Sequence, residues 1–169
     1  MDSEGALDLI KEAKKEFGSE AVVGAGTILD GVSAREAIAA GAEFIFAPTL
    51  SQETIQVSNR YGKIVIPGVM TPTEMLQAYE WGADAVKIFP ASVVGATFIK
   101  DVKGPLGHIP IIPTGGIHLD NAQDYIHAGA IAVGVGGSLM NKQYIKANDW
   151  AALTDLAKQF TEKVQQARS

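Results

Sequence analysis

Short apolar runs recur along the chain, each following directly on the Gly-Ala or Tyr-Gly that ends a more polar, helical segment. They read GAEFIFAP (41–48), YGKIVIPG (61–68), GADAVKIFP (82–90) and GAIAVGVGG (129–137). Glycine ends a helix in the left-handed conformation at little steric cost. Apolar runs without strict alternation are typical of strands covered on the outside by helices. The pattern predicts strands at about 21–27, 43–48, 63–68, 85–89, 109–113 and 131–136. It predicts helices at about 5–17, 33–40, 51–61, 72–81, 95–103, 120–128 and 148–166.

Helix starts are legible as well. Ser33-Ala-Arg-Glu36 and Thr71-Pro-Thr-Glu74 have capping-box spacing, and Pro72 takes the tolerated first helical position. Asp120 and Asn148 are further N-cap candidates. Alternation of this kind predicts a parallel sheet with right-handed crossovers. Each repeat spans roughly 20 residues, and the polar and glycine-rich signals cluster at the C-terminal ends of the strands, where both barrels and open sheets carry their sites. Six strands are too few for a complete eight-stranded barrel, so the pattern alone leaves an open sheet and an incomplete barrel both open. No linker or low-complexity stretch divides the chain, which predicts one domain over 1–169.

Composition narrows the class of function. The absence of cysteine excludes a disulfide framework and thiolate metal sites. A net charge of -5, with only Arg35, Arg60 and Arg168 as arginines, argues against a nucleic-acid surface. The opening MDSEGALDLIKEAKKEF has acids where a secretory signal has bases, and no run approaches a membrane span. These features point to a cytoplasmic globular protein.

Candidate chemistry centres on Lys87, inside Ala85-Val-Lys-Ile-Phe-Pro90. Burial disfavours the ammonium, and a lysine so perturbed attacks carbonyls. A snorkelling or carboxylate-paired lysine fits the same residues equally well. Lys63, the other strand lysine, stands at the N-terminal end of its strand, near water. Pro113-Thr-Gly-Gly-Ile117 and Gly134-Val-Gly-Gly-Ser138 end the last two strands. Paired glycine turns on consecutive strands let backbone N–H groups approach an anion, and Ser138 adds a hydroxyl. Thr27 and Thr114 direct hydroxyls to the same strand ends, where turn hydrogen bonding is the plainer reading. His108, His118 and His127 show no metal-ligand spacing and no carboxylate partners, and read as surface or loop residues; Met70, Met75 and Met140 read as packing groups. Glu43 and Asp84 stand at N-terminal strand ends, opposite the predicted mouth, and Asp30 lies in a loop, so no internal carboxylate supplies a general base.

The ordered set GAGT, FIFAP, IPGVMTPTE, KIFPA, IPTGGI and VGVGGS resembles the 2-keto-3-deoxy-6-phosphogluconate (KDPG) / 4-hydroxy-2-oxoglutarate aldolase family over nearly the whole chain. The resemblance implies an α/β TIM (β/α)8 barrel, here reduced at its N-terminus to about six strands. It implies a class I lyase, usually a homotrimer, that cleaves KDPG to pyruvate and glyceraldehyde 3-phosphate in the cytoplasmic Entner–Doudoroff pathway. No metal or cofactor is implied, because the protonated imine is the electron sink. By the same resemblance Lys87 is the Schiff-base lysine, Thr27 contacts the pyruvate moiety and Thr114 bears on specificity. Phe89 and Pro48 line the pocket, and Gly115, Gly116, Gly136, Gly137 and Ser138 form the phosphate side. Relatives carry an earlier strand, helix and second strand with the general-base Glu, which implies that Met1 corresponds to an internal methionine. Asp2 takes the place of an arginine that often holds the substrate carboxylate. A catalytically impaired fragment or assembly subunit, and a different phosphate-binding barrel, are the competing expectations.

Overall fold

A computed structural model describes residues 3–169; Met1 and Asp2, and the readings attached to them, lie outside the described residues. The chain divides into two compact units, 1–87 and 88–169, with the division inside one strand.

The first unit opens with α1 (Ala6–Phe17), followed by β1 (Gly24–Ala25), α2 (Gly31–Ala39), β2 (Phe44–Phe46), α3 (Gln52–Arg60), β3 (Ile64–Ile66), β4 (Gly68–Val69) and α4 (Pro72–Glu80). Strands β1, β2 and β3 are parallel and adjacent in that order. Their register aligns Ala25, Ile45 and Val65 in one cross-strand row, and all three are buried. Side chains alternate along a strand, so this row faces α2 and α3, whose Ala34, Ala37 and Ile55 are also buried. The opposite row holds Gly24, Phe44 and Ile64, and then Phe46 and Ile66. Gly24 is glycine for a spatial reason: a Cβ there would meet the ring of Phe44.

The helix starts follow local chemistry. Thr71 and Glu74 form the expected capping box, with Pro72 at the start of α4. The proposed box at Ser33–Glu36 does not form. Asp30 caps α2 instead, its Oδ1 accepting the Ser33 amide at 2.7 Å, so the helix begins earlier than its spacing suggests. Aspartate caps as well as serine does, and its charge is also favoured at a helix N-terminus.

The second unit takes over within β5 (Val86–Ile88) and contains α5 (Ala91–Lys103), β6 (Ile111–Pro113), α6 (Ala122–His127), α7 (Lys142–Ala147) and α8 (Trp150–Gln166). Strands β4, β5 and β6 are ordered side by side in a second three-stranded sheet. Helix α5 begins four residues before the predicted 95, and Gly95 interrupts it at φ 71°. The predicted strand 131–136 reduces to one parallel bridge between Thr114 and Gly134. It is glycine-rich, and Val133 and Val135 make no backbone bond to another segment among the described residues.

Three further readings are corrected. Asn148 does not cap α8; it ends the unanticipated helix α7 in the left-handed conformation, and Asp149 caps α8 through the Ala152 amide. Asp120 does not cap α6, whose N-cap is Asn121, without a side-chain cap bond. Met140 is 55% exposed and packs little, whereas Met75 is fully buried. No helix among the described residues is long and apolar enough to cross a membrane.

Candidate active site

Lys87 is the central residue of β5, between the fully buried Val86 and Ile88. Alternation turns it to the other face from those neighbours. It is only 8% exposed, and its backbone amide donates to Pro67 O at 2.8 Å. The Nζ stands 4.5 Å from the centroid of the Phe46 ring. Burial lowers the pKa of the amine from the ordinary lysine value, which increases the fraction present as a nucleophile.

In the first unit, Thr27 follows β1 and is half-buried, beside the Gly26-Thr27 cis peptide bond. The next residue, Ile28, is fully buried and donates its amide to Phe46 O. Gly68 faces Pro48 so closely that a Cβ on Gly68 would meet the Pro48 carbonyl group. Phe46 thus meets the segment after β1 through its carbonyl and the amine of Lys87 through its ring. Phe46 was missed by motif reasoning. The signal was available in FIFAP, because period-two alternation puts Phe46 on the face of Gly24 and Phe44.

The carboxylates near these strands have structural partners. Glu43, just ahead of β2, accepts the Val23 amide at 3.0 Å and pairs with Lys14 at 2.8 Å. The Lys14 hydrogen bond, then the Val23 amide, lowers its pKa. Asp84, just ahead of β5, accepts the Val65 amide at 2.9 Å. Both tie neighbouring strands together at their N-terminal ends.

In the second unit, Phe89 follows β5 and is 38% exposed. Thr114 and Gly115 close the loop onto the first turn of α5: Ala91 N donates to Thr114 O at 2.8 Å and Ser92 N to Gly115 O at 3.0 Å. Gly115 and Gly116 have φ of 91° and 76°, a region that favours glycine. A Cβ on Gly115 would crowd Phe89 at 3.2 Å, and one on Gly116 would meet Ser92 Cβ at 2.5 Å. Asn121 holds this turn, donating to Gly116 O and accepting the His118 amide. Ser92 and Asn121 carry no motif of their own and were not legible as part of it.

The Thr114 hydroxyl oxygen is buried and has no hydrogen-bond partner. Gly136, Gly137 and Ser138 are exposed. A Cβ on Gly136 or Gly137 would meet nothing within 4 Å. Neither packing nor a left-handed φ requires glycine there, and the backbone stays open to an approaching anion. His118 does have a carboxylate neighbour, correcting the expectation: its Nδ1 is 3.7 Å from Asp120. All three histidines are exposed. No group of three or more His, Asp or Glu side chains converges among the described residues.

Comparison with known proteins adds the family. Over 160 residues the chain is 34% identical to the 2-dehydro-3-deoxy-phosphogluconate aldolase of Pseudoalteromonas atlantica, covering 94% of this chain and 74% of that one. It is 32% identical to the KHG/KDPG aldolase of Escherichia coli K12, covering 96% of this chain and 76% of that one. Among solved structures, the KDPG aldolase of Legionella pneumophila, with pyruvate captured as a covalent carbinolamine intermediate, superposes with a TM-score of 0.85. That match has 26% identity and covers 92% of this chain and 76% of that one. A family profile described as KDPG and KHG aldolase matches residues 1–156. With an α/β fold that superposes on these aldolases, and a sequence matched almost from end to end, the chain belongs to the KDPG and KHG aldolase family.

Proposed function

We propose that this chain is a class I aldolase that cleaves 2-keto-3-deoxy-6-phosphogluconate to pyruvate and glyceraldehyde 3-phosphate, with Lys87 as the Schiff-base lysine. The observation that carries the reading is an amine 8% exposed in the middle of an apolar strand, its pKa lowered by burial. The names of the relatives and the covalent pyruvate adduct of the Legionella enzyme support it.

The neutral Nζ adds to the C2 ketone; the C–N bond forms and the carbonyl oxygen takes a proton, giving a carbinolamine. Loss of water leaves an iminium. A base then takes the C4 hydroxyl proton and the C3–C4 bond breaks. Its electrons flow into the iminium, giving an enamine and releasing glyceraldehyde 3-phosphate. Protonation at C3 and addition of water return pyruvate and the free amine. The iminium serves as the electron sink throughout.

Thr27, Pro48, Phe89 and Thr114 are assigned to the keto-acid end of the substrate. Gly115, Gly116, Gly136, Gly137 and Ser138 are assigned to its phosphate, on the strength of the space left at Gly136 and Gly137. The wider reading is one barrel domain over 1–169, a homotrimer, working in cytoplasmic Entner–Doudoroff metabolism and also accepting 4-hydroxy-2-oxoglutarate.

Incubation with pyruvate and borohydride, followed by peptide mass analysis, tests the central step. A reduced pyruvate adduct on Lys87 is expected, and Lys87→Arg should abolish it while leaving the fold intact. An adduct on another lysine, or none, would remove the assignment. A second reading, capture of pyruvate without cleavage, draws on the position of the carboxylates. Glu43 and Asp84 are engaged at the N-terminal strand ends. Imine formation with cleavage slowed ~10²–10⁴-fold is the signature of a missing base.

A further inference from the structure

The Nζ of Lys87 lies over the face of Phe46, 4.5 Å from the ring centroid. We infer that Phe46 is a positioning residue for the proposed reaction: its ring face holds the Lys87 nitrogen in place and favours its cationic forms, the resting ammonium and the iminium that follows. The inference rests on the assignment of Lys87 as the Schiff-base lysine.

The geometry has two parts. Phe46 ends β2, and Lys87 is central in β5. The backbone of Phe46 is fixed from two sides: Phe46 pairs with Ile66 in the β2–β3 register, and its carbonyl accepts the Ile28 amide. The ring is therefore delivered by a sheet rather than by a loop. The face of an aromatic ring carries the negative part of its quadrupole, and a cation within about 6 Å of the centroid is attracted to it. That attraction strengthens where water is excluded, as it is around a side chain 8% exposed.

Burial and the ring face act on this nitrogen in opposite directions. Burial disfavours the ammonium and lowers its pKa. The ring face works against that shift, and the iminium forms against a favourable surface. The ionisable groups on the surrounding strands of the first unit are held elsewhere. Glu43 ahead of β2 binds Lys14 and the Val23 amide, and Asp84 ahead of β5 accepts the Val65 amide. Glu74 beyond β4 accepts the amides of Met70 and Thr71. Lys63 precedes β3, and β1 has no ionisable residue. A leucine at 46 would fill much of the same volume with no π face.

The test uses the full chain in four forms: wild type, Phe46→Leu, Phe46→Tyr, and pentafluorophenylalanine placed at 46, which keeps the ring shape and reverses its quadrupole. Two readouts are taken: the NMR titration of the Lys87 ε-carbon, assigned by its loss in Lys87→Arg, and the pH profile of pyruvate–borohydride trapping. Both midpoints should move to lower pH by about half a unit or more in the leucine and pentafluoro forms. Phe46→Tyr should stay with wild type. Equal midpoints in wild type and the pentafluoro form would overturn the inference, and that form guards against a leucine variant that fails to fold. Absence of any adduct in wild type would instead defeat the Schiff-base assignment, while the NMR titration would still read the ring's effect.

Discussion

The hydroxyl of Thr114 is buried directly against Gly134, where an added Cβ would collide with the threonine oxygen, and that oxygen has no hydrogen-bond partner. A buried hydroxyl without a partner destabilises the fold. Thr114→Val keeps the shape and removes the polar atom. It should stabilise the chain by about 1 kcal/mol, seen as a higher denaturant midpoint at unchanged m. If Thr114 also serves the keto acid, KM for the cleaved substrate should rise in the same variant. An unchanged or lower midpoint would mean that the hydroxyl is satisfied in solution.

Lys87 sets a pH dependence of stability. Its folded pKa is lowered, with burial as the cause. Between that value and the ordinary lysine value the unfolded chain binds more protons than the folded one, so stability rises with pH across the window. Below the window the whole penalty is present. Lys87→Met should therefore stabilise the fold at pH 7, by on the order of 1 kcal/mol. The gain should shrink as pH rises towards the ordinary lysine range. A thermal melt at pH 7 should move up roughly 2–4 °C per kcal/mol.

The two glycine turns should respond differently to alanine. At Gly116, φ is 76° and a Cβ would meet Ser92 Cβ at 2.5 Å. Gly116→Ala should lose about 1–3 kcal/mol of stability by backbone strain and collision, with part recovered by Ser92→Gly. At Gly137 nothing lies within 4 Å of the added methyl. Gly137→Ala should change stability by no more than about 0.5 kcal/mol. Under the phosphate assignment it should raise KM for the phosphorylated substrate and leave pyruvate trapping untouched. Equal KM in wild type and Gly137→Ala would remove that glycine from the phosphate side.

The capping box of α4 supplies a second pH dependence of the same sign, in the acid range rather than the alkaline one. Glu74 Oε2 accepts the amides of Met70 and Thr71, both at 2.9 Å. The Met70 amide is the largest cause of its lowered pKa. Its contribution is full above the ordinary glutamate value and is lost as pH falls through the lowered one. Glu74→Gln should flatten that part of the acid stability profile. Thr71→Ala should cost about 1 kcal/mol at neutral pH.

Much of this is legible in the sequence alone. The apolar runs located β2, β3, β5 and β6 to within a few residues, because strands covered by helices are apolar over nearly their whole length. Thr71, Pro72 and Glu74 marked the start of α4 because capping uses only neighbours in sequence. Where a local signal had a competitor it misled: Asp30 took the role read into Ser33, and Asp149 that read into Asn148. The strand expected at 131–136 reduced to a single bridge, since a ladder depends on partners as well as on composition.

For the site, residue type and order along the chain were enough to single out Lys87 and the two glycine turns, because an apolar strand that keeps one lysine breaks its own pattern. What the sequence left undecided was distance. That the Lys87 nitrogen meets the Phe46 ring, that Gly116 must leave room for Ser92, and that Glu43 and Asp84 tie strands together depends on residues far apart in the chain. Secondary structure and capping answer to neighbours within a few positions. Contacts between strands answer to register, and register is set only when the packed rows of side chains come together in three dimensions.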